Sequence, residues 1–263
     1  MTDHRTSKSA YTTLRALGRT GADLLLPPRC VLCDAELEEN ESVQICRGCT
    51  LELQGEPSPA CGRCGMNTAA AGAMECPDCR SRRFRFDRTF RYGEYQGPLR
   101  DAVLRAKLLT GEPIAAVLGA QLAAAVRSGL TDGFDDSDPR NHFDLVTCVP
   151  SFWWRRLRRG TNSAAVIAQV LARELGIPLA NDLLVCRRNI EKQSSLSLAQ
   201  RKNNVRGAFG LSWGYRIAGA RLLLVDDVMT SGATAHEISK VLKQVGAASV
   251  AVAVVARAMG PDW

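Results

Sequence analysis

Two adjacent carboxylates, Asp226-Asp227, stand just ahead of the small-residue stretch Thr230-Ser231-Gly232-Ala233-Thr234. Carboxylates beside a bound phosphate repel it, so the natural partners of the acid pair are neutral hydroxyls, and a vicinal diol matches two acceptor groups. The backbone N–H groups and hydroxyls of Thr230 to Thr234 can instead surround an anion, helped by the partial positive charge where a helix begins. Ribose 5-phosphate satisfies both halves. Around these residues the chain must supply a strand and a helix. The unbroken apolar run Leu222-Leu223-Leu224-Val225 predicts a strand buried on both faces, as in a parallel sheet, with the acids emerging at its carboxyl end. Ligands bind at that edge in open α/β sheets. A helix is expected over 233–245, and Gly232 lets the backbone come close to the ligand.

A second constellation is made of cysteine. Eight of the ten cysteines form CxxC pairs: Cys30/Cys33, Cys46/Cys49, Cys61/Cys64 and Cys76/Cys79. Twelve residues separate the first two pairs and eleven the last two, so one C4 unit is written twice. Each CxxC knuckle presents two thiolates to one tetrahedral ion, and two knuckles close a structural zinc site. Disulfides compete as an explanation, but a chain without an export signal meets reducing conditions, which predicts two structural Zn²⁺ ions. Consecutive pairing follows most simply from the repeat, while spacing alone leaves a cross-braced arrangement open. With few apolar residues between Cys30 and Cys79, the segment should draw its folding free energy from the metal, about 10 kcal/mol per site. Filled coordination shells leave no open position for catalysis, so this module is expected to bind rather than react. Cys148 and Cys186 read as inert thiols.

Composition sets the outer bounds. The 263 residues suffice for one sizeable core plus a small module, and 46% hydrophobic with 23% charged residues is ordinary for a globular chain. No run of apolar residues is long enough to cross a membrane and the N-terminal stretch lacks a signal-peptide core, so a cytoplasmic location is expected. The net charge of +7 is concentrated in two arginine clusters, one from Arg80 to Arg91 and one at Arg155, Arg156, Arg158 and Arg159. Both clusters suit phosphates.

Strand and helix patterns alternate elsewhere. Strands are expected at 90–95, 143–149 and 249–255, and helices from Gly97, over 114–127, and over 164–175 behind the capping candidates Thr161-Asn162-Ser163. This alternation predicts parallel βαβ units in an open α/β sheet. Thr131 to Asn141 reads as a surface loop, and the polar stretch 187–209 as either a flap over the ligand or an exposed connection. The expected division is a partly helical leader over 1–28, a double zinc-ribbon module over 29–80, and a sheet domain over 87–263.

Val225-Asp226-Asp227-Val228-Met229-Thr230-Ser231-Gly232-Ala233-Thr234 resembles the phosphoribosyl-pyrophosphate (PRPP) signature of type I phosphoribosyltransferases. The resemblance implies that Asp226 and Asp227 contact the ribose 2′- and 3′-hydroxyls and that Thr230, Ser231, Gly232, Ala233 and Thr234 hold the 5′-phosphate. Further pieces resemble the ComF family, competence-associated proteins that join a zinc module to a phosphoribosyltransferase-like domain. They are Tyr95, Gly97, Pro98, Leu99 and Lys107; then Val149-Pro150, Arg155, Arg159-Gly160 and Asn162; then Gln193, Leu196, Arg201, Asn204 and Phe209. Family members commonly carry Arg-Gly-Phe-Asn-Gln where this chain has Arg159-Gly160-Thr161-Asn162-Ser163, a departure beside the pocket.

The family resemblance implies a type I phosphoribosyltransferase-like sheet, Mg²⁺ bound with PRPP, and a role in DNA uptake or processing alongside other competence or DNA-processing proteins. In such a site Lys107, Arg155 and Arg159 are candidates to stabilise the leaving pyrophosphate. The zinc ribbons and arginine clusters would then contact single-stranded DNA. A phosphoribosyltransferase of nucleotide metabolism and a non-catalytic PRPP sensor are the alternatives, since nothing in the chain identifies an acceptor.

Overall fold

The computed structural model of the protein describes residues 27–37, 44–54, 58–69, 76–77, 79, 82–131, 136–150, 162–188, 190 and 198–259. The chain divides into two units, Met1–Leu51 and Glu52–Trp263. This division falls inside the expected zinc module, so that the first cysteine quartet lies in one unit and the second in the unit that carries the sheet. The short helix α1 (Arg47–Gln54) spans the division point.

In the second unit the described elements run β1 (Arg88–Glu94), α2 (Gly97–Ala106), α3 (Glu112–Thr131), β2 (Leu145–Cys148), α4 (Ser163–Leu175), β3 (Leu184–Cys186), α5 (Leu198–Val205), β4 (Phe209–Leu211), β5 (Arg221–Met229), α6 (Ala233–Gln244) and β6 (Ser249–Arg257). Among the described residues four strands form one sheet in the order β1-β6-β5-β2, with every neighbouring pair parallel. Parallel pairing requires crossover connections, which the helical segments between these strands supply. The central strands are buried on both faces, and Leu222, Leu223, Leu224 and Val225 of β5 and Val252, Ala253, Val254 and Val255 of β6 are all inaccessible to solvent. The expected α/β class with a parallel sheet is what the chain forms.

Where the strands stop decides what the sheet can hold. β5 continues through the acid pair to Met229, because β6 runs beside it and pairs Asp226 with Val254 and Met229 with Arg257. The acids therefore lie within the strand rather than just beyond it. On the other side β2 ends with Cys148 opposite Val225. From Asp226 onward that edge of β5 has no strand neighbour among the described residues.

α3 is long and apolar enough, by length and composition alone, to cross a membrane. Its buried face of Ile114, Leu118, Leu122 and Val126 belongs to the core of this unit. Gly119 permits close packing on α4, since a Cβ there would stand 2.8 Å from the Ile167 carbonyl oxygen. α4 begins at Asn162, whose side chain makes no capping hydrogen bond, and closes with Gly176 in the left-handed conformation at φ 68°. The described part of 187–209 is more ordered than either a flap or a plain connection: α5 lies in it, and Cys186 pairs with Phe209 in the antiparallel β3–β4 ribbon.

Candidate functional site

The acid pair is held by residues from two other elements. Lys107 follows the last turn of α2 and places its Nζ 3.0 Å from Oδ2 of Asp227. The turn carrying it is tight, and Gly111 is required there because a Cβ would come within 2.4 Å of the Arg105 carbonyl oxygen. Ser163, at the start of α4, donates its Oγ–H to the same Asp227 oxygen at 3.0 Å. Asp226 accepts the backbone N–H of Asp227 through Oδ1 at 2.9 Å. Burial first, then the charge of Asp227, push the Asp226 carboxyl well above the usual carboxylate range, against the pull of Lys107. Burial works against the Lys107 ammonium, but Asp227 and then Asp226 more than offset it and raise its pKa. The arrangement presents one charge-compensated carboxylate beside one that gives up its proton reluctantly, a pair suited to accepting hydroxyl hydrogen bonds.

The turn after β5 is built for close approach. Gly232 adopts φ 74° and forms the N-terminal boundary of α6, so the first N–H groups of that helix point out of the turn. The Ser231 hydroxyl accepts the Ala233 N–H at 3.4 Å, and the Gly232 carbonyl accepts the His236 N–H at 2.9 Å. Phe84 covers the other side, with its Cε1 3.0 Å from where a Gly232 Cβ would be. Thr230 through Thr234 thus form a turn of N–H groups and hydroxyls one strand-end away from the acids, the placement expected of a phosphate-binding turn.

Arg257, the last residue of β6, underlies this turn. Only 2% exposed, it donates through Nε to the Cys64 carbonyl at 2.9 Å. It also donates through one terminal nitrogen to the carbonyls of Met229 at 2.9 Å, Ala258 at 2.8 Å and Thr230. A single rigid guanidinium therefore joins the start of the turn to the Cys61/Cys64 knuckle. The same knuckle is fastened to β1, where Thr89 Oγ1 donates to the Arg63 carbonyl and the Thr89 N–H to that of Gly62, both at 2.8 Å.

The eight cysteines of the CxxC pairs fall into two groups, Cys30, Cys33, Cys46, Cys49 and Cys61, Cys64, Cys76, Cys79, with the sulfurs of each group within 4.8 Å of one another. Pairing is consecutive, which spacing alone left open. Thiolates at about 2.3 Å around a tetrahedral zinc ion stand about 3.8 Å apart. The Cys33–Cys46 sulfurs are 3.7 Å apart, Cys61–Cys79 3.7 Å, Cys64–Cys76 3.5 Å and Cys76–Cys79 3.8 Å. The repeat extends to the backbone: Asp34 and Gly65, each directly after the second cysteine of a knuckle, have φ 62° and 70°. Bridges Arg29–Glu36 and Ala60–Asn67 close the two knuckles alike. Four sulfurs gathered at these separations fit structural Zn²⁺ in both donor sets. One expectation changes. The second quartet is not a core-poor appendage, since its sulfurs pack in the same apolar cluster as Phe84, Phe86, Met229 and Ala233.

Residues 21–80 match the double zinc ribbon domain family, and residues 161–261 match the phosphoribosyl transferase domain family. Over 239 residues the chain is 31% identical to competence protein F of Haemophilus influenzae, covering 88% of this chain and 97% of that protein. The chain belongs to the ComF family. Within that family it is also 30% identical over 229 residues to the DNA utilization protein YhgH of Salmonella typhimurium, covering 87% of this chain and 96% of that one. It is 26% identical over 245 residues to competence protein ComFC of Bacillus subtilis, covering 84% and 90% respectively.

For this ComF-family chain, the structure brings Asp226, Asp227, Lys107 and the turn from Thr230 to Thr234 together. Lys107 lies on the acid pair, its Nζ within ion-pair distance of Asp227. Arg155 and Arg159 fall outside the described residues, as do Arg80, Gln193 and Leu196. The first arginine cluster is not uniformly exposed. Arg88 donates to the Gly129 carbonyl at 2.9 Å and lies over the Phe90 ring, and Arg91 is bound to Ser58 and Asn67, which leaves Arg82, Arg83 and Arg85 nearer solvent. Three functional contacts escaped sequence reasoning. Ser163 reads in sequence as a capping candidate and a departure from the family pattern, yet its hydroxyl lies on Asp227; Phe84 and Arg257 carry no local signal at all.

Proposed function

We propose that this chain binds PRPP with Mg²⁺ at the acid pair and its turn, and that it serves DNA uptake or utilisation, as its relatives' names indicate for them. The observation that carries the reading is the shared Asp227 oxygen. Lys107 and Ser163 hold it at 3.0 Å each, beside a left-handed Gly232 turn that opens a helix. Asp226 and Asp227 accept the ribose 2′- and 3′-hydroxyls, and the N–H groups and hydroxyls of Thr230 to Thr234 take the 5′-phosphate. The Lys107 ammonium, 3.0 Å from Asp227 Oδ2, partly neutralises the site, so a polyanion approaching the carboxylates meets less repulsion. Mg²⁺ would be held beside Asp226 and Asp227 largely by the ligand's own oxygens and water, without a full protein cage, and would supply charge neutralisation there. The zinc ribbons and the exposed Arg85 are the candidate contacts for single-stranded DNA.

The test is a calorimetric titration of Mg²⁺-PRPP into wild-type protein and into the Asp226→Asn/Asp227→Asn variant, repeated with single-stranded DNA present. Binding is expected in the wild type, with a loss of at least about tenfold in the variant, since charged hydrogen bonds to two hydroxyls are removed. Equal affinity in the two proteins refutes the site.

A further inference from the structure

A cavity of about 650 Å³ lies against His236, Glu237 and Lys240 of α6, and neither Asp226 nor Asp227 lines it. Its cationic lining comes from three places: Arg82 and Arg83 before β1, Arg206 after α5, and Lys240 with His236 on α6. Arg82, Arg83 and Arg206 have no ion-pair partner among the described residues; Lys240 lies 3.8 Å from Glu237. Glu237 is the only carboxylate lining the cavity among the described residues, and it is fixed in place by accepting the Gly207 N–H at 3.0 Å. Cations gathered from separate segments around one concavity favour a compact polyanion. The remaining lining is apolar at Phe84 and Val205 and polar at Asn203.

We propose that this cavity binds a nucleoside di- or triphosphate, a second ligand distinct from the one on the acid pair. The guanidinium and ammonium groups match two or three adjacent phosphates, and Glu237 and Asn203 match sugar hydroxyls. The volume lies within the range of small-ligand sites. The central carboxylate argues against a continuous nucleic-acid backbone, because the next phosphate of a strand would meet Glu237, whereas a sugar hydroxyl hydrogen-bonds to it. The cavity shares Ser231 and Ala233 with the phosphate turn, and Phe84 on its wall touches Gly232. Occupancy therefore alters the turn, and nucleotide binding shifts affinity for PRPP. This coupling rests on the PRPP reading above; the binding itself does not.

The probe is unlabelled ADP, titrated calorimetrically into zinc-loaded wild-type protein and into Arg83→Ala/Arg206→Ala, whose replaced side chains are both exposed. Lys240→Ala is measured in parallel, and zinc content with far-ultraviolet circular dichroism verifies the fold. Wild-type protein should bind ADP, and the double variant should lose about tenfold per guanidinium removed. Saturating ADP should change PRPP affinity in the wild type and leave it unchanged in the double variant. No ADP binding by wild-type protein, equal affinity in the folded double variant, or complete competition by PRPP abolished in Asp226→Asn/Asp227→Asn would each overturn the proposal. Retained single-stranded DNA binding through these same residues without ADP binding would assign the cavity to a strand instead. ADP binding in a protein that takes no PRPP would support the cavity and refute the acid-pair reading.

Discussion

Replacing Arg257 by lysine separates the support of the phosphate turn from the zinc site beneath it. The guanidinium reaches the carbonyls of Cys64, Met229, Thr230 and Ala258 at once, while an ammonium is a point donor that cannot span from Cys64 to the turn. The Met229 carbonyl keeps the Ala258 N–H at 3.0 Å. Leaving one or two of the other carbonyls unsatisfied costs about 1–3 kcal/mol apiece, so Arg257→Lys should destabilise by about 2–3 kcal/mol. Arg257→Met, which removes every donor, should cost about 3–5 kcal/mol. The cysteines are untouched, so Arg257→Lys should still hold its zinc while PRPP affinity falls by about tenfold as the turn loses its brace. Denaturant unfolding, metal release to a chromogenic chelator and PRPP calorimetry measure the three quantities on one preparation. If Arg257→Lys unfolds at the wild-type denaturant concentration and binds PRPP unchanged, the brace is incidental and the reasoning fails.

Two other outcomes follow from the site. Asp226 has its pKa raised by burial and by Asp227 to about 8, so the folded state holds this proton longer than the unfolded chain does. The contribution of this group to stability is therefore greatest at low pH and is lost as pH rises from about 4 toward that raised value. Asp226→Asn should remove this slope and stabilise the ligand-free protein at pH 8; a variant no more stable than wild type there would contradict the burial argument. PRPP affinity in the wild type should rise from pH 6 to about 8 and then level, with proton release visible as a buffer-dependent binding enthalpy. Gly232→Ala forces a left-handed φ of 74° on a residue with a Cβ and sets that Cβ 3.0 Å from Phe84. Unfolding should show a loss of about 1–2 kcal/mol, and PRPP binding should weaken; an unchanged PRPP affinity would show that the turn tolerates the shift.

Much of the fold was legible because it rests on local pattern. The apolar run 222–225 became a buried parallel strand, the alanine- and valine-rich run at 249 became its neighbour, and the helix after Gly232 begins at Ala233. Strand ends were less legible. Nothing in 226–229 itself says that β5 continues, because its extension depends on the length of β6 beside it. The stretch 187–209 was too polar to show a periodic face, and its helix and ribbon became visible only through their partners in space.

By itself the sequence determined the chemistry available: two thiolate quartets, an acid pair and a turn able to hold a phosphate. Each is a short-range pattern in which residue type and spacing carry the geometry. Only the tertiary structure decided how these parts support one another. Arg257 meets the Cys64 carbonyl across 193 residues of chain, Ser163 meets Asp227 across 64, and Phe84 meets Gly232 through packing alone. Such contacts depend on where the sheet and its crossovers return the chain, which no local spacing encodes. For the same reason the second cysteine quartet reads in sequence as half of a separate module and in three dimensions as part of the floor beneath the turn from Thr230 to Thr234.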